Sequence, residues 1–134
     1  MLKYLSGFST VLLILLGIAF IQSCTRESVP VNVASFAISS PQEGQLVHLG
    51  ETVSIKATLS GTETLHGWAI EIRKKADGAV LYEKSLHTHG LSLHIDETWT
   101  DGVADNADLV LEVFAQLDHD GAKTSTTVNL HSQP

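Results

Sequence analysis

The stretch Thr52–Leu59, TVSIKATL, alternates apolar and polar residues without a break. A strand buried on one face needs this period of two, whereas a helix needs its apolar positions three or four apart. Val53, Ile55, Ala57 and Leu59 therefore share one side, and Ser54, Lys56 and Thr58 share the other. The same rhythm returns down the chain. SFAIS puts Phe36 and Ile38 on one face, LHGWAIEIRKK does so with Trp68, Ile70 and Ile72, and LSLHI does so with Leu91, Leu93 and Ile95. ADLVLEVFAQL aligns Leu109, Leu111, Val113, Ala115 and Leu117. Turn chemistry separates these runs: PQEGQLVHLGE reads as a turn-rich link, SGTET as a loop, ADG at 76–78 as a hairpin turn and DHDG at 118–121 as another turn.

The pattern predicts strands at 34–40, 51–59, 64–74, 79–87, 91–99, 107–117 and 122–131, with no helix among them. Seven alternating strands in about 100 residues, with a turn every 8 to 12, are expected of an all-β, immunoglobulin-like, seven-stranded antiparallel β-sandwich. Trp68 falls on the third strand, where such domains commonly bury a tryptophan. The stretches SSPQEGQLVHLGETVSIKATLS and VFAQLDHDGAKTSTTVNL resemble bacterial Ig-like and fibronectin-III-like modules over about residues 36–131. That resemblance implies an architecture and no particular activity.

The first residues follow a different logic. Lys3 gives a positive start, and Phe8–Ile21 is an apolar run shorter than the roughly 20 residues of a membrane-spanning helix. It has the form of a signal-peptide core and ends in IQSC, residues 21–24. That ending resembles the lipobox of bacterial lipoproteins, with Gln22 looser than the usual choice at its position. The resemblance implies cleavage before Cys24 and lipidation of its sulfur. The expected organisation is a signal peptide at 1–23, a lipidated cysteine and tether at 24–33, and the sandwich at 34–132. The combination looks like the small lipoproteins of Bacteroidota, a group that implies no set activity. An uncleaved anchor helix, or a secretory signal with a stray thiol, is the alternative.

Cys24 is the sole cysteine, so once it is acylated neither a disulfide nor a thiolate-held metal is available. Removal of Lys3 with the signal leaves seven basic against fifteen acidic residues, a formal charge of −8. Such a surface repels nucleic acid and anionic headgroups. The expected site is the cell envelope, as an outer-membrane lipoprotein facing the periplasm or the exterior. TRES after the cysteine lacks an acidic run and weakly favours the periplasm.

Residues 85–99, SLHTHGLSLHIDETW, hold three of the seven histidines. If the strands alternate in direction, the connections between the 51–59 and 64–74 strands, at 87–90 and at 118–121 meet at one end. That brings together His66, His87, His89, Asp118, His119 and Asp120. His48 and His131 fall at the other end, and His94 faces solvent from mid-strand. Alternate residues of an extended segment lie about 6.6 Å apart on one face, so the imidazoles of a His-X-His pair can converge on one ion. With Met1 removed and no free thiol, the donors suit zinc, copper(II) or nickel better than copper(I) or an iron–sulfur cluster. Two other readings stay open: solvated loop histidines, and a histidine pH switch. Asp118 and Asp120 also suit ordinary turn chemistry, and DHDG lacks the spacing of an EF-hand loop.

An enzyme is not expected. The chain has no G-X-S-X-G elbow, no glycine-rich phosphate loop and no H-E-X-X-H helix. Carbohydrate binding would want grouped aromatic platforms, and Trp99, Tyr82 and Phe114 are scattered. The rival to metal binding is an envelope protein-interaction or structural module without metal. Anchoring gives the first prediction: Cys24→Ser abolishes labelling by a fatty-acid analogue and moves the protein out of the membrane fraction. A variant that stays membrane-bound with its signal intact would establish the uncleaved helix instead.

Overall fold

The computed structural model describes residues 31–134, so the expected signal peptide, the expected lipidation site at Cys24 and most of the expected tether lie outside the described residues. Every regular element among them is a strand: β1 Ala34–Ser40, β2 Gln45–His48, β3 Thr52–Leu65, β4 Gly67–Lys74, β5 Val80–Leu86, β6 Gly90–Thr100, β7 Ala107–Gln116 and β8 Lys123–Gln133. They form two sheets, ordered β1-β3-β6 and β2-β8-β7-β4-β5. This is the immunoglobulin-like β-sandwich expected from the alternation. All pairings are antiparallel except β2 with β8.

The inner faces of the sheets make the core. Val53, Ile55, Ala57 and Leu59 from β3 and Leu93, Ile95 and Trp99 from β6 are buried in one sheet. Trp68, Ile70 and Ile72 from β4, and Leu109, Leu111, Val113 and Ala115 from β7, oppose them. Trp68 is 4% exposed, in register with Leu86 on one side and Ala115 on the other. A side chain of this kind stabilises by roughly 1.5–3 kcal/mol or more through area removed from water.

The structure corrects the expectation at four places. There are eight strands, not seven, because β2 lies inside the segment read as a link. Four residues are too few to show alternation, yet Val47 is fully buried there and Gly44 and Gly50, both at positive φ, bracket the strand. The expected loop at 60–63 is instead a continuation of β3, with a register shift between Ser60 and Leu65. That irregularity gives fully buried Leu65 the inward place and leaves Leu91 60% exposed. Trp99 is no surface platform but a core residue, 6% exposed and paired with Val53.

The ADG turn forms as read. Gly78 has φ 72°, and Asp77 Oδ1 accepts the Ala79 N–H at 2.9 Å. At the same end, Asp101 is 1% exposed; its carboxylate accepts the Val103 N–H at 2.9 Å and the Ser132 hydroxyl at 2.5 Å. Those bonds tie the β6–β7 loop to β8 and satisfy a charge that would otherwise be costly to bury.

Trp68→Ala should cost about 3–5 kcal/mol in denaturant unfolding, the usual penalty for emptying a large aromatic site. Iodide should quench neither tryptophan appreciably. Ready quenching of either would contradict this core.

Candidate metal centre

Three connections meet at the end opposite Asp101. His66 stands between β3 and β4, His87 and His89 in the β5–β6 link, and His119 in the β7–β8 turn. The His66 N–H donates to the Gln116 carbonyl at 2.8 Å, which fixes that junction to the end of β7. Gly67 follows with φ 151° in buried surroundings, a conformation that favours glycine. A Cβ here would meet the Leu86 carbonyl oxygen at 2.7 Å and the His87 Cα at 3.4 Å. The missing side chain therefore lets the end of β5 close on β4 and carries His87 towards His66's loop.

The four rings pack against one another. Centroids are 4.1 Å apart for His66 and His119, 4.9 Å for His66 and His89, 4.8 Å for His87 and His89, and 5.4 Å for His89 and His119. One ring nitrogen from each of His66, His89 and His119 lies within 4.8 Å of the other two. An ion bound at about 2.0–2.1 Å holds its ligand atoms on the order of 3.3 Å apart, so small side-chain rotations close the gap. His87 flanks this triad, 5.8 Å from His119 between centroids. His66 Nδ1 is buried and has no hydrogen-bond partner among the described residues. A buried polar atom without a partner costs about 1–3 kcal/mol, so this nitrogen calls for an explanation.

The two aspartates behave differently. Asp118 Oδ1 accepts the N–H groups of Asp120 and Ala122, both at 2.9 Å, which is turn chemistry. Neither Asp118 nor Asp120 belongs to the group of converging donors. The site that the structure assembles is all-imidazole, where the sequence had suggested imidazole with carboxylate. The backbone N–H groups that Asp118 accepts within its own turn are the signal that sets it apart from a ligand.

The remaining histidines lie where the strand directions put them, each beside a local partner. His131 Nδ1 is 2.8 Å from Asp108 Oδ1, His48 Nδ1 is 3.5 Å from Glu51 Oε2, and His94 Nδ1 is 3.2 Å from Thr58 Oγ1. Sequence reasoning missed Gly67 and Gln116 as supports, and Gly67 directly after a histidine is the visible trace.

Desolvation among the packed rings, followed by the neighbouring charges of His87, His66 and His119, holds the His89 pKa below its ordinary 6.5. That shift favours the neutral imidazole of His89, the form that binds metal.

No sequence-family profile and no curated protein matches the chain. Among solved structures it is similar to Spo0M, a sporulation control protein from Bacillus subtilis, with TM-score 0.53 and 8% identity. The match covers 79% of this chain and 51% of that one, so the chain spans about half the length of Spo0M. It is also similar to the fibronectin(III)-like modules of Clostridium thermocellum CbhA, with TM-score 0.46, 17% identity, and coverage of 74% of this chain and 96% of that one. At such identity the likeness to Spo0M concerns the fold alone.

The lowered His89 pKa has a definite sign for stability. The folded domain binds that proton more weakly than the unfolded chain, whose histidine titrates near 6.5. The contribution is whole above that pH and is lost as pH falls through it towards the lowered folded value. Metal-free protein should therefore melt at a lower temperature as pH drops below about 6.5, and His89→Gln should flatten that slope. An unchanged slope in the variant would show that His89 titrates normally.

Proposed function

We propose that this chain is a lipid-anchored, extracytoplasmic immunoglobulin-like domain, non-enzymatic in itself, that binds a divalent transition metal, zinc or copper(II), at its histidine-bearing end. The observation that carries the reading is the convergence of one ring nitrogen from each of His66, His89 and His119. Three imidazoles from three separate connections make a donor set that suits these ions. His87, beside the triad, is the available fourth nitrogen. The envelope location rests on the IQSC motif and Cys24.

Leu86 and Leu91, 51% and 60% exposed, flank the His-Thr-His-Gly corner and favour a second reading in which this end contacts an envelope protein. Zinc and copper(II) titrations of the full chain decide between them. Wild type should bind, and binding should weaken as pH falls through about 6.5, where free imidazole protonates. Replacing both His87 and His89 with alanine should remove most of the affinity, whereas His94→Ala and His131→Ala should leave it unchanged. Wild type that binds no tighter than the double variant would leave the interaction module as the reading.

A further inference from the structure

Asn32 stands just before β1, half-buried, and no sequence pattern singles it out. Its Nδ2 donates to two backbone carbonyls, Thr64 and Leu117, both at 3.2 Å. Its Oδ1 accepts the Glu63 N–H at 3.0 Å and the Thr62 hydroxyl at 3.4 Å. The backbone around it is pinned as well: the Val33 N–H donates to Thr62 Oγ1 at 3.0 Å, and the Thr62 N–H donates to the Val33 carbonyl at 2.9 Å.

The two carbonyls stand at the ends of strands from different sheets. Thr64 is in β3, two residues before His66, and Leu117 follows β7, two residues before His119. One carboxamide thus joins, across the sandwich, the two connections whose rings approach most closely, at 4.1 Å. Both bonds to these carbonyls need an N–H donor, which an amide offers and a carboxylate of the same shape does not.

We propose that Asn32 is a positioning residue for the metal centre: it holds the His66 and His119 connections at the separation that lets their rings share one ion. This rests on the metal-binding reading above. Groups that orient metal ligands without touching the metal typically change affinity by about 10–100-fold when replaced. Linkage makes the effect reciprocal, so a bound metal must hold the Asn32 bridge closed in turn. The Glu63 amide, bonded to Asn32 Oδ1, reports that closure.

The experiment compares zinc titrations of the full chain in wild type, Asn32→Ala, Asn32→Asp and Asp101→Asn. The last is a control that perturbs the buried bonds at the far end, where an amide nitrogen replaces one of the two carboxylate oxygens. Zinc affinity should fall at least about tenfold in Asn32→Asp, with Asn32→Ala intermediate, and remain at the wild-type level in Asp101→Asn. The copper(II) electron paramagnetic resonance spectrum should change in Asn32→Asp and not in the control. Zinc should slow exchange of the Glu63 amide in wild type. Wild-type affinity in Asn32→Asp, or an equal loss in Asp101→Asn, would overturn the positioning role while leaving metal binding intact. Absence of zinc binding by wild type would overturn both.

Discussion

Everything in this domain hangs on one constraint: each sheet has an apolar face that water disfavours, and the two faces satisfy each other. β3 and β6 supply one face, β4 and β7 the other, with Ile55, Leu59, Ile72, Leu109 and Leu111 fully buried between them. Cys24 is the sole cysteine, so no disulfide within the chain supplements this packing. Packing the two faces fixes register, because a slip of one residue would turn each strand's apolar set outward. Register fixes strand ends, and strand ends fix where the connections emerge. The histidines meet because β3, β5 and β7 all run towards the same end.

That dependence explains what the sequence disclosed. Clean alternation in β3, β4 and β7 gave their inner faces residue by residue, and antiparallel order then placed His66, His87, His89 and His119 together while sending His48 and His131 away. What stayed hidden was local. β2 offers one buried side chain, Val47, and a parallel pairing with β8 leaves no trace in periodicity. Leu91 continues the phase of Leu93 and Ile95, but the irregularity near the end of β3 hands its place to Leu65. Trp99 shows the converse: an aromatic at the end of a strand is buried by what lies across from it, and composition does not report that.

The two ends of the sandwich treat their polar groups in opposite ways. At one end Asp101 is buried and its carboxylate bonded on both oxygens, a closed arrangement that joins loop to strand. At the other end the Nδ1 of His66 is buried without a partner, and one nitrogen of its ring lies within 4.8 Å of ring nitrogens of His89 and His119. Buried polar groups in folded domains are generally satisfied, and an unsatisfied one calls for an explanation. The proposed metal ion would supply one and would also account for the packing of imidazoles, beside which His89 holds its proton more weakly.

X-ray absorption at the metal edge of the zinc-loaded full chain tests that account most directly. The account requires a first shell of nitrogen at about 2.0–2.1 Å with the outer-shell scattering of several imidazole rings. A first shell of oxygen alone, or one containing sulfur at about 2.3 Å, would contradict it.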